Sequence, residues 1–132
     1  MSILSEPNSC KIVLLGESGV GKTSIISRYT TGQFNELCQS TNGASYSSKT
    51  IKLQKLKKNL KLDIWDTAGQ EKYRSLTKFY YKDAAIAILV FDVTRKDSYE
   101  EIKNYWFNQI KTFGEGNISK KKYFFNFFLL FF

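Results

Sequence analysis

The chain has 132 residues, 42% hydrophobic and 24% charged, which is one domain of ordinary globular material with a single modest core. Twenty Lys and Arg against twelve Asp and Glu leave +8, a balance that suits phosphates, nucleic acid or anionic lipid, or simply keeps a surface wet. The lysines are scattered with no finger, basic helix or RNA-binding aromatic motif among them, and no run reaches the roughly 20 apolar residues of a spanning helix, so neither nucleic acid nor a transmembrane role is expected.

Residues 1–9, "MSILSEPNS", are expected to be a flexible N-terminus. They show no basic start followed by an apolar run, and Ser2 stands where myristoylation requires glycine. Cys10 and Cys38 are the only cysteines, too few for a metal cluster or a disulfide framework, and they fit a reducing compartment.

The first chemical signal is "CKIVLLGESGVGKTSIISRYT". A buried-strand run from Lys11 to Leu15 leads into Gly16, four residues, Gly21, Lys22 and Thr23, and then into a stretch with helical spacing. Glycines 16, 19 and 21 let the backbone turn so that successive N–H groups form an anion cradle, and the helix start adds its positive end. The expected nucleotide-binding set is Gly16, Glu17, Ser18, Gly19, Val20, Gly21, Lys22, Thr23 and Ser24. Lys22 is placed for the β- and γ-phosphates and the Thr23 hydroxyl for Mg²⁺. A triphosphate nucleotide is the expected ligand.

"GQFNELCQSTNGASY", residues 32–46, is polar and weakly periodic and reads as a mobile loop that brings Thr41 to the metal. There a threonine can give a hydroxyl to Mg²⁺ and an N–H to the γ-phosphate. Taken alone, Thr41 is weak evidence, since a Ser-Thr-Asn-Gly run is more often just a turn. The basic hairpin "KLQKLKKNLKL" follows. Alternating Leu60, Leu62 and Ile64 read as a strand that delivers Asp66 of "WDTAGQE" to the phosphate end, where it can hold Mg²⁺ through water. Gly69 offers an N–H for the γ-phosphate, and the Gln70 amide can orient an attacking water. Residues 84–94, "AAIAILVFDVT", read as a buried parallel strand. "DSYEEIKNYWFNQIKTFGEGN" reads as a helix capped by Asp97 or Ser98 and stopped by Gly114 and Gly116.

Taken in order, "GESGVGKTSIISRY", "GQFNELCQSTNGASY", "KLDIWDTAGQEKYRSLTKFYYKDA" and "IAILVFDVT" resemble the first two thirds of a Rab small GTPase, nearest the endosomal Rab proteins, from about residue 10 to about residue 118. The resemblance implies an α/β, Ras-like P-loop fold, mostly parallel and flanked by helices, here without its C-terminal strands and helices. It also implies GTP or GDP with Mg²⁺, slow hydrolysis, and exchange factors, activating proteins and effectors as partners in endosomal or vesicle traffic on the cytosolic side. Carried over by position, Phe34 lies against the guanine edge, Thr23, Thr41 and Asp66 hold Mg²⁺, Gln70 is catalytic, and Tyr46, Trp65 and Tyr80 form the aromatic triad that effectors read. Simple packing on a sheet face accounts for those three aromatics equally well.

Asn42 departs from the usual isoleucine and Lys82-Asp83 from the usual Arg-Gly, which bears on partner choice more than on catalysis. Asn-Lys-x-Asp, the guanine-reading motif, and the prenylated cysteines of the family are not in this sequence. Guanine selectivity therefore has no visible carrier, and membrane association is not expected. Residues 119–132, ending "KKKYFFNFFLLFF", leave the family pattern. They read as a strand on a vacated sheet edge, an interfacial anchor, or sequence foreign to the fold from a truncated gene. Two functions stay open: a GTP-hydrolysing switch, and a nucleotide-compromised module that only holds partners. An ATP-using P-loop protein is disfavoured by "WDTAGQE".

Overall fold

The computed structural model describes residues 8–81 and 83–114, and the aromatic tail and Gly116 lie outside them. The element order is β1 (Asn8–Leu15), α1 (Lys22–Thr31), β2 (Ala44–Leu53), β3 (Lys58–Thr67), α2 (Arg74–Tyr81), β4 (Ile86–Leu89), α3 (Lys96–Glu101) and α4 (Phe107–Gly114). The last two are joined by a π-helical turn, Ile102–Trp106, so one long helical segment contains a wider turn.

Among the described residues the strands form one mixed sheet in the order β2-β3-β1-β4. β1 pairs in parallel with β3 and with β4, while β2 and β3 form an antiparallel hairpin from Ala44↔Thr67 to Leu53↔Lys58. The period-two alternation of β1 decides the layers. Val13 and Leu15 point to one face and pack with Leu89, Ile102, Trp106 and Ile110, whereas Ile12 and Leu14 point to the other and pack with Val20, Ile26, Leu62 and Ile64. The sheet thus lies between α1 on one side and the α3–α4 segment on the other.

Several boundaries differ from the sequence expectation. Asn8 and Ser9 belong to β1 rather than to a loose N-terminus, held by pairing with Leu60 and Lys61. Residues 44–46 belong to β2 rather than to the loop, because the hairpin ladder runs to Ala44. The strand expected over 84–94 is only Ile86–Leu89. Beyond Leu89 the expected strand gives way to a turn at Asp92, whose carboxylate accepts from the Thr94 N–H at 2.8 Å and the Thr94 hydroxyl at 2.7 Å. Neither Asp97 nor Ser98 caps α3. Arg95 is the capping residue without a side-chain bond, Asp97 sits in the first turn paired with Arg95, and buried Ser98 donates to the Arg95 carbonyl at 2.7 Å.

The sheet's α1 face is only half covered. Between α1 and the strands lies an open apolar groove of about 970 Å³, walled by Ile12, Leu14, Ile25, Leu62, Ile64 and Ile88. Such a groove agrees with the expectation of a Ras-like fold without its C-terminal strands and helices.

Candidate phosphate and metal site

The loop from Gly16 to Gly21 follows the end of β1 and enters α1 directly. Gly19 and Gly21 take positive φ of 78° and 95°, which turns the loop tightly about the start of the helix. Gly16 is fixed by crowding: a Cβ there would stand 2.1 Å from the Val90 carbonyl oxygen, so any side chain would push apart the ends of β1 and β4.

Lys22 folds back beneath this loop. Its ammonium donates to the Gly16 carbonyl at 2.9 Å and the Glu17 carbonyl at 2.7 Å, and the residue is only 5% exposed. Burial pulls its pKa from 10.5 down to about 8, against the Asp66 and Glu17 carboxylates, which hold it up.

Beside Lys22 three residues from three elements converge. The Thr23 hydroxyl donates to Asp66 Oδ2 at 2.5 Å and the Thr41 hydroxyl to the same oxygen at 3.2 Å. The second oxygen, Asp66 Oδ1, is buried without a partner among the described residues. Burial pushes the Asp66 carboxyl upward, opposed by the bond from Thr23, the charge of Lys22 and the bond from Thr41. Two hydroxyls and a carboxylate with a spare buried oxygen are hard oxygen donors that fit Mg²⁺, which takes few protein ligands and completes its shell with water and phosphate. Thr67 anchors the end of β3 by donating to the Leu14 carbonyl at 2.6 Å. The loops flanking β2 and β3 leave the sheet side by side, joined by the Ala68 N–H to the Gly43 carbonyl at 2.8 Å.

Lys22, Thr23 and Thr41 open on a cavity of about 400 Å³, lined by Ser18 to Ser24, Phe34, Thr41, Thr67, Gly69 and Asp92 among others, whereas buried Asp66 is not in its lining. Of the expected set, Gly16 and Glu17 are outside its lining: Gly16 shapes the loop, and the Glu17 side chain turns away to Arg74 at 2.5 Å. Phe34, 46% exposed, lines both this cavity and the apolar groove. Gln70 is not in the lining. It sits just past Gly69 at the head of a short 3₁₀ turn, Glu71–Tyr73, where its carbonyl accepts the Tyr73 N–H at 3.0 Å.

Gly69 packs hard against the phosphate loop, since a Cβ on it would lie 2.3 Å from the Glu17 carbonyl carbon and from the Ser18 nitrogen. Tyr46, Trp65 and Tyr80 do come together: Tyr46 and Trp65 are cross-strand partners with ring centroids 5.4 Å apart, and Trp65 and Tyr80 are 5.5 Å apart. Tyr46 is 47% exposed, and its hydroxyl donates to Asp63 at 2.6 Å.

Sequence reading missed Arg74, Arg95 and Asp92. Arg95 donates to the Ser18 carbonyl at 3.0 Å, and Asp92 reaches the cavity from the turn after β4. Only their place in "FDVTRKD", just past a parallel strand's C-terminal end, could have drawn attention to the last two, since ligands gather there in α/β sheets.

A mixed α/β sheet with a glycine loop wrapped over a buried lysine, and an acidic residue ending the neighbouring strand, defines a P-loop nucleotide-binding protein. A family model described as the Ras family matches residues 11–121. Among curated proteins, the Ras-related protein RABA1b of Arabidopsis thaliana is 44% identical over 108 residues, covering 82% of this chain and 49% of that protein. The chain spans about half the length of this curated relative. It belongs to the Ras family, as a Rab-type small GTPase.

Proposed function

We propose that this chain carries the phosphate-sensing half of a Rab switch: it binds GTP or GDP with Mg²⁺, hydrolyses GTP slowly, and shows its nucleotide state to partners of vesicle traffic. The convergence of Thr23, Thr41 and Asp66 beside Lys22 carries this reading. Thr41 belongs to the loop before β2, so a metal and phosphate held there would also hold that loop, and losing the terminal phosphate would release it.

Lys22 and the backbone N–H groups of Ser18 to Thr23 would bind the β- and γ-phosphates, and Thr23, Thr41 and Asp66 would hold the cation. When bound, Mg²⁺ supplies charge neutralisation on the phosphate oxygens. Gln70 would orient water and Phe34 would shield the base. Tyr46, Trp65 and Tyr80 form the surface proposed for effectors, and the same switch segments would meet exchange factors and activating proteins. A place on the cytosolic face of vesicle membranes belongs to this proposal through the Rab resemblance, without deciding which membrane. Among the described residues no helix is long and apolar enough to cross a membrane.

The test is a fluorescent-nucleotide titration with Mg²⁺, followed by single-turnover phosphate release from the parent and Gln70→Leu. Retained GTP binding with a loss of hydrolysis of at least about tenfold is the expected result. The open groove favours a second reading, a partner-holding module without turnover. It predicts no phosphate release from the parent at all.

A further inference from the structure

Gln70 lies in a short segment that is fastened to the same phosphate-loop residue on both sides. Upstream, Gly69 presses on the Glu17 backbone so closely that no Cβ fits. Downstream, Arg74 Nη2 reaches Glu17 Oε1 at 2.5 Å and Glu101 Oε2 at 2.8 Å. The guanidinium also lies over the Tyr105 ring, 4.2 Å from its centroid, and 5.7 Å from that of Trp106. Both rings belong to the π-helical turn that interrupts α3 and α4.

This ion pair is not a loose surface contact. The Arg74 and Glu17 side chains are 19% and 14% exposed, and Arg74 Nε is buried without a partner among the described residues. A half-buried guanidinium with an unsatisfied N–H is an expensive feature, and one nitrogen bridging two carboxylates while the planar group lies over a ring is a task lysine does poorly. Burial opposes the Arg74 charge, yet the bonds from Glu17 and Glu101 hold its pKa above the ordinary arginine value. Gln70 itself makes no side-chain bond among the described residues, so its place relative to the phosphate loop is set by these two fastenings.

We propose that Glu17 and Arg74 are a positioning pair that fixes Gln70 against the phosphate loop, with Glu101 and Tyr105 as the backstop that keeps Arg74 extended. Neither residue touches the reacting atoms. The proposal rests on the reading of Gln70 as the water-orienting residue.

The test uses the full 132-residue chain as parent, Arg74→Met, Glu17→Gln, the double variant and Arg74→Lys. Amide hydrogen exchange over residues 68–78, without nucleotide, should quicken by about tenfold or more in both single variants while the β2–β3 hairpin is unchanged. In single turnover with Mg²⁺ and GTP, Arg74→Met should lose about tenfold or more in hydrolysis with affinity kept within about threefold. The double variant should be no slower than Arg74→Met, as expected of residues acting as one unit, and Arg74→Lys should fall between parent and Arg74→Met. Parental exchange rates in both single variants would overturn the proposal, as would an equal loss of affinity and turnover, or additive losses in the double variant. If the parent itself releases no phosphate, the hydrolytic reading fails separately and the exchange comparison decides the pair. Should Arg74→Met not melt cooperatively, Glu17→Gln and Arg74→Lys supply the same comparisons.

Discussion

The hydroxyl of Thr41 lies 2.9 Å from that of Thr23, although the two residues belong to a loop and a helix separated by 18 positions. Asp66 Oδ2 gathers both, so a single carboxylate oxygen holds the loop before β2 to the start of α1. Thr41→Ala should therefore weaken the effect of Mg²⁺ on triphosphate affinity by about tenfold while sparing diphosphate affinity, because in the proposed switch only the triphosphate state would engage this loop. Titrations with GTP and GDP analogues, with and without Mg²⁺, give the answer. Equal losses for both nucleotides would detach Thr41 from phosphate sensing.

Lys22→Ala should lower nucleotide affinity by about a hundredfold or more, since in the proposed function the ammonium would make charge-assisted bonds to phosphate. Its depressed pKa adds a pH signature. Between about pH 8 and 10.5 the unfolded chain still holds the proton that the folded chain has lost, so stability without nucleotide should rise with pH through that window. Below it the full penalty for burying the charge remains, on the order of 3 kcal/mol at most. Nucleotide affinity should move the other way and fall as pH rises above about 8, because phosphate requires the protonated form. Denaturant melts and titrations at several pH values should show both slopes in the parent and neither in Lys22→Met.

Gly69→Ala should cost about 1–3 kcal/mol in stability, as its methyl group would overlap the backbone of Glu17 and Ser18. It should also impair triphosphate binding more than diphosphate binding, because relief of the overlap moves the loop that contacts the phosphates. An alanine variant with parental melting and parental GTP affinity would mean that the close approach is easily relaxed.

Trp106 is fully buried at the centre of the α3–α4 core, with its Nε1 unpaired among the described residues. Trp106→Ala should cost about 3–5 kcal/mol. Trp106→Phe should cost markedly less, because it keeps a ring under Arg74 and removes an unsatisfied buried N–H. Equilibrium unfolding of the two variants checks the order.

How much of this was legible in advance follows the range of each signal. The glycine spacing, Lys22, Thr23 and Asp66 are local patterns, each tied to a strand end, and all of them meet in the structure. Thr41 was weak on its own, because its value comes from contact with a residue 25 positions away. The Arg74 fastening was illegible. Glu17 and Arg74 are 57 positions apart, and neither belongs to a periodicity that predicts the other. The extent of β4 was misjudged for a similar reason: an apolar run looks like strand throughout, while the Asp92 turn beyond it depends on one side chain folding back on its neighbours.

The bond from the Ala68 N–H to the Gly43 carbonyl joins the loop before β2 to the loop after β3 where they leave the sheet. Behind it, ten residue pairs bind β2 to β3 in strict register, so neither loop can recede along the ribbon without carrying the other. The hairpin is thus riveted at residues 43 and 68, and a displacement of Thr41 relative to Gly69 can arise beyond that bond with the ladder behind it kept in register.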